Sequence, residues 1–229
     1  MASWLFYIAV FLKQFYLLPS GSIGIADLFF TAACVMTFYG AWKKRTKLFY
    51  REDIPWAIFL IFAAIINGIY YVRTANREFP LHTMYWIYSV CLIWMFRTLY
   101  SEDFMRGLCW VCRINMVFQL LVLFSGHGRY FRESWGGARF MGTFNDPNQF
   151  AFFIFTVMLV LFMGYRRKAI YTAKTRIGFW GMFLLGAFLI GKAKSTGMFV
   201  GLLVFFCVLI GQIFWDRCCH SKRKKLWWI

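Results

Sequence analysis

The sequence predicts an all-α fold, a polytopic transmembrane helix bundle of about eight spans with both termini cytoplasmic. Three observations predict it. Of 229 residues, 61% are hydrophobic and 15% are charged, against roughly 25% charged in soluble domains. Apolar runs of about 18 residues recur along the chain, close to the ~20 that a helix needs to cross the hydrocarbon. Basic residues gather in the connections between those runs. The runs are continuous rather than alternating, so helices rather than a closed barrel satisfy the backbone in lipid.

The elements follow in order. The first stretch, "MASWLFYIAVFLKQFYLLP", has no basic leader and no small-residue cleavage site, so it reads as a retained span. The eight expected spans cover residues 2–18, 26–42, 54–72, 81–99, 107–125, 148–165, 177–193 and 196–215. The first and seventh are short or interrupted by charge. No internal repeat is evident, and residues 1–229 are expected to form a single membrane-embedded domain. The longest connection, 126–147, exceeds the ~12–15 residues at which loops are usually functional or disordered. Its Tyr130, Phe131 and Trp135 suit the headgroup level, and Gly136-Gly137 breaks it flexibly.

Charge sets the expected orientation. Seventeen of the 26 Lys and Arg lie in "KKRTKLFYRE", in "RRKAIYTAKTR", in the tail "DRCCHSKRKK", or at Arg97 and Arg106. The opposite side holds Arg73, Arg77, Arg129, Arg132, Arg139, Lys192 and Lys194. The positive-inside rule puts the richer side in the cytoplasm and 126–147 outside. A net charge of +17 in a soluble chain would suggest nucleic acid. Here the charges sit in short loops rather than one patch, which argues against a nucleic-acid partner and for anionic lipid. Cys34, Cys91, Cys109, Cys112 and Cys207 fall in apolar runs and read as small hydrophobes. Cys109-Trp-Val-Cys112 lacks a second ligand pair, and Cys218-Cys219-His220 is a weak metal signal, so no metal site is expected.

The candidate site is "RFMGTFNDPNQFAFF", at the mouth of the sixth span. Asp146-Pro147 reads as an N-cap with Pro at the first helical position, and Gln149 can close a capping box. Capping does not account for Arg139, Gly142, Asn145 and Asn148. A helix N-terminus favours an anion. A nearby Arg fork binds phosphate in bidentate fashion. Gly142 would let backbone approach the ligand, and the two asparagines add neutral donors. The set suits a lipid-linked phosphate or diphosphate. The alternative reading of Arg139 is an interfacial arginine snorkelling to headgroups.

"R-x-x-G-x-x-x-D-P-N", Arg139 to Asn148, resembles the signature of the O-antigen ligase and O-antigen polymerase superfamily. "LLPSGSIGIADLFF", Leu17 to Phe30, is similar to that family's opening. "KAKSTGMFVGLL", Lys192 to Leu203, stands where the family has T-x-S-R-G. Ser195 and Gly197 match, Thr196 replaces the arginine, and Lys192 or Lys194 would supply the charge. The resemblance implies a bacterial cytoplasmic-membrane, multi-pass glycosyltransferase of O-antigen, lipopolysaccharide or exopolysaccharide assembly. Such a protein transfers or polymerises a glycan from a polyprenyl-diphosphate carrier and needs no metal or cofactor. Its partners would be that lipid-linked glycan, membrane lipids and other polysaccharide assembly proteins. Family members are longer, so the resemblance covers their N-terminal portion, and a truncated or short relative is expected.

Further candidates lie outside the motif. His127 and Glu133 flank the loop and could act as bases on an acceptor hydroxyl, or be merely solvated. Arg113 in the fifth span needs a partner or a wet cavity, and is a candidate substrate contact. Asn115 and Gln119 share a helix face and suit packing or a polar cavity. Asn67, Tyr70 and Tyr71 offer a glycan surface or packing. Asp27 and Lys13 lie near helix ends and can snorkel. Two alternatives to the enzyme remain: a non-catalytic subunit binding lipid-linked glycan, and a small transporter built around Arg113.

Overall fold

A computed structural model of the protein describes residues 1–15, 24–46, 50–133, 137–166 and 173–218; side chains at 133, 173–176 and 212–218 are outside the description. These residues form eight α-helices: α1 (Ala2–Leu12), α2 (Ile25–Lys43), α3 (Ile54–Thr74), α4 (Glu78–Leu99), α5 (Glu102–Phe124), α6 (Pro147–Arg166), α7 (Ala173–Ala193) and α8 (Thr196–Cys218). A short 3-10 turn, Arg51–Asp53, leads into α3. Five helical segments are long and apolar enough to cross a membrane: α2, Arg51–Thr74, α4, α5 and α6. The segments Ile177–Ala193 and Thr196–Gly211 of α7 and α8 are apolar but shorter. The first expected span is a helix of 11 residues, ending at Leu12 before a turn at Lys13 and Gln14.

One element departs from the all-helical expectation. Between α5 and α6 lies an antiparallel hairpin, β1 (Arg129–Glu133) and β2 (Gly137–Gly142). The longest connection expected, 126–147, therefore contains a paired hairpin. Gly137 and Gly142, at the two ends of β2, have φ of 70° and 60°, where residues with a Cβ are strained.

The chain divides into two compact units, Met1–Val111 and Cys112–Ile229, with the boundary inside α5. In the first unit α1 and α2 run antiparallel. Ala9 and Ala33 are fully buried, and small residues let helix backbones approach in lipid. Phe6 packs edge-on against Phe30 and Phe104, with centroids 5.3 and 5.4 Å away. Tyr7 donates to the Phe104 carbonyl at 2.8 Å; its ring fills the space a side chain at Gly107 would take. Where α1 ends and α2 begins, Lys13 pairs with Asp27 at 2.9 Å. Asp27 also accepts Tyr88 Oη at 2.7 Å and the Gly24 N–H at 2.8 Å. These two charges meet each other rather than reaching for the interface singly. Asn67 donates to Thr83 at 2.9 Å, and Tyr70 stacks on Phe79, so both tie α3 to α4 as packing groups. Arg97 forks onto Asp53 at 2.5 and 2.8 Å and lies over the Tyr50 ring.

In the second unit, Gly186 of α7 lets Met116 of α5 and Met158 of α6 close around it; a Cβ there would come 2.5 Å from the Met158 sulfur. Phe183, Phe162 and Phe205 join α6, α7 and α8. The hairpin is anchored by Phe140, which meets Phe150 of α6 at 5.2 Å. Phe140 and Phe144 are 1% exposed and Phe150 is fully buried. Three rings of this size bury enough apolar area to fix the hairpin on α6.

Candidate functional site

The register of the hairpin decides which side chains share a face. Tyr130 pairs with Phe140, and Phe131 pairs with Arg139. Successive strand residues point to opposite faces. Tyr130 and Phe140 therefore form the inner face, with rings 5.4 Å apart. Arg139 and Phe131 form the other.

Arg139 reaches from β2 to the ends of two helices. Its Nε donates to the carbonyl of Ala193, the last residue of α7, at 3.0 Å. Its Nη2 donates to Asn148 Oδ1, in the first turn of α6, at 3.0 Å. The same Oδ1 accepts Ser195 Oγ at 2.9 Å. Ser195 is 2% exposed and immediately precedes α8. Residues 139, 148 and 195 thus meet at the place where α6 begins, α7 ends and α8 begins. A cation near the α7 carbonyl end also complements that helix's dipole.

Two helix starts face this cluster, and they differ. Asp146 caps α6: its Oδ1 accepts the N–H groups of Asn148 at 2.7 Å and Gln149 at 3.0 Å. The expected N-cap is present, and the amides that an anion would use there already hold a carboxylate. At α8, Ser195 points its hydroxyl at Asn148 instead. Gly197, the second residue of α8, has open space where a side chain would begin. In the first turn of α8, Met198 N–H already donates to the Ser195 carbonyl at 3.1 Å, which leaves the Thr196 and Gly197 amides as those without an intrahelical acceptor.

Lys194 links α7 to α8 with φ of 50°, a left-handed residue closing α7. Its ammonium lies at 3.4 Å from where a side chain on Gly137 would begin. It therefore stands at the base of β2, near Arg139. Lys192 sits elsewhere: its ammonium lies over the Phe188 ring at 5.3 Å.

The remaining sequence candidates spread out. Gly142 meets protein rather than an open cleft: a side chain there would strike the Gln119 amide oxygen and the Phe150 ring. Its close backbone approach serves packing on α5 and α6. Asn145 accepts Arg129 Nη1 at 2.6 Å, tying the first residue of β1 to the turn before α6. Gln119 donates to Thr143 at 2.8 Å, and Asn115 is fully buried, in keeping with packing roles. Arg113 is half-buried on α5. His127 is exposed on the turn after α5, with Nδ1 2.9 Å from the Ser125 carbonyl. Glu133 closes β1, and its side chain lies outside the description.

Sequence reasoning selected Arg139 and Asn148 and noted Ser195. It missed the Ala193 carbonyl, because backbone acceptors carry no residue signature. It also assigned Phe131 to a lipid belt without its strand partner. The aromatics of "RYFRE" and "GARFMG" on either side of a Gly-containing break were the available signal.

No protein-family model matches the chain, and neither a curated protein nor a solved structure is detectably similar to it.

Proposed function

We propose that the chain is a multi-pass membrane protein that binds the diphosphate of a polyprenyl-linked glycan, and transfers or polymerises that glycan. The supporting observation is the meeting of Arg139, Asn148 and Ser195 at three helix ends, with Lys194 nearby. In this reading both termini are cytoplasmic and the hairpin faces outward, as the loop charges suggest. The likeness of "RFMGTFNDPN" and "KAKSTG" to the O-antigen ligase and polymerase superfamily supports the same substrate class.

The chemistry follows from charge. An acceptor hydroxyl oxygen bonds to the anomeric carbon of the carrier-linked sugar, and the bond from that carbon to the diphosphate oxygen breaks. Negative charge grows on the departing diphosphate. Arg139 and Lys194, pre-positioned, stabilise it. The hydroxyl proton passes to a base.

A second reading is a subunit that binds lipid-linked glycan without transferring it. It is favoured by the Asp146 carboxylate being held by two amides, and by His127 facing its own turn. Purified protein in nanodiscs separates the readings: glycan binding with no transfer to an acceptor selects the second.

Arg139 is the test of both. Arg139→Ala removes at least one charge-assisted contact, about 1.5–3 kcal/mol, and should weaken undecaprenyl-diphosphate binding tenfold or more. Arg139→Lys should restore only part, since an ammonium cannot reproduce the fork. Wild-type binding in both variants overturns the assignment. Orientation is checked with Ala138→Cys in a background lacking the native cysteines. An impermeant thiol reagent should label it from outside, and labelling only from inside removes the site from its donor.

A further inference from the structure

We infer that Phe131 is a stacking platform for the sugar ring joined to the phosphate at Arg139. The inference rests on the diphosphate reading above. Phe131 and Arg139 are directly opposed across the hairpin, and such pairs hold their Cβ atoms about 4.5–5.5 Å apart. That puts an aromatic ring and a cation-bearing residue side by side on one face of the hairpin, as a phosphate and the sugar it esterifies are side by side. Tyr130, its neighbour in β1, turns inward onto Phe140. Phe131 faces the other way; both rings are 46% exposed, but of the two it is Tyr130 that packs on another ring. Among the described residues no ring or cation stacks on it.

The neighbouring guanidinium is held elsewhere, on the Ala193 carbonyl and Asn148. The ring face therefore lies beside the cation rather than beneath it. An aromatic face carries negative charge density. The axial C–H groups of a pyranose carry the complementary positive edge, and they lie on one side of the sugar. A cation for the phosphate next to a bare aromatic face for the pyranose is the arrangement a sugar phosphate ester requires. A lipid tail would need no cation beside the ring.

The experiment compares two ligand types on purified protein in nanodiscs of fixed composition. One is undecaprenyl diphosphate. The other is the same carrier bearing glucose, galactose or N-acetylglucosamine. The wild type should bind at least one glycosylated carrier about fivefold to tenfold more tightly than the bare carrier. Phe131→Ala should abolish that preference and leave bare-carrier affinity unchanged. Phe131→Trp should keep it. A preference that survives Phe131→Ala overturns the inference and leaves the diphosphate reading standing. So does a wild type that binds bare and glycosylated carriers equally. Equal weakening of both ligand types by Phe131→Ala assigns the ring to the lipid interface or to hairpin stability, and also overturns it. If the wild type binds neither type, the diphosphate reading fails and this inference fails with it.

Discussion

Lys13 and Arg139 are both cations held against helix ends, but by different acceptors. Lys13 meets the Asp27 carboxylate, itself bonded by Tyr88 and the Gly24 amide. Arg139 meets a backbone carbonyl and a side-chain amide, both neutral. The first arrangement cancels charge and fastens α1, α2 and α4 together. In the second, the two acceptors described carry no charge. Arg97, forked onto Asp53, belongs with Lys13. The acceptors described differ in charge, a carboxylate for Lys13 and neutral groups for Arg139, and that difference supports the proposal that Arg139 receives an anion.

The largest expected effect breaks the structural member of the pair. Asp27→Ala leaves Lys13 facing an apolar helix pair. Removing one partner of a fully buried pair costs about 3–5 kcal/mol; with Lys13 38% exposed, about 2 kcal/mol is expected. Thermal unfolding in detergent measures it, and Lys13→Met combined with Asp27→Leu should recover most of the loss. An unchanged midpoint in Asp27→Ala would remove the pair from the list of structural contacts.

A subtler change makes the second cluster resemble the first. Asn148→Asp gives Arg139 a carboxylate partner at the start of α6, where a negative charge is favoured. Stability should hold or rise by up to ~1 kcal/mol. Diphosphate affinity should fall roughly tenfold, as the tethered carboxylate competes for the fork. Affinity equal to wild type would show that the charge of the residue-148 acceptor does not govern anion binding at Arg139.

The smallest effect is expected at Lys192. Its ammonium lies over Phe188, a contact worth about 0.5–1 kcal/mol when exposed. Lys192→Ala should change carrier affinity less than twofold, and Lys194→Ala should change it more. The reverse order would move the cation cluster to the other side of the α7–α8 turn.

The legible parts of the fold were those written in long-period patterns. Apolar runs gave α2 to α6 nearly to their ends, because a long, continuous apolar run is a signal of both helix and extent. Asp146-Pro147 marked the start of α6 because a cap acts within three residues. The hairpin was hidden, since five- and six-residue strands are hard to separate from aromatic-rich flanks. Gly142 was assigned to a ligand because a glycine states only that space is required, not what fills it. Lys192 and Lys194 look equivalent in sequence. One left-handed residue between α7 and α8 turns Lys194 toward β2, while Lys192 stays on the helix over Phe188.

The Asp146 carboxylate sits two and three residues from the amides it occupies. A built-in rival so near has an effective concentration that no dissolved anion matches. The entrance of α6 is thus self-saturated, and any guest must outbid a resident that cannot diffuse away. Free phosphate should consequently leave that helix start untouched at ordinary concentrations, and discrimination falls to groups with no such occupant.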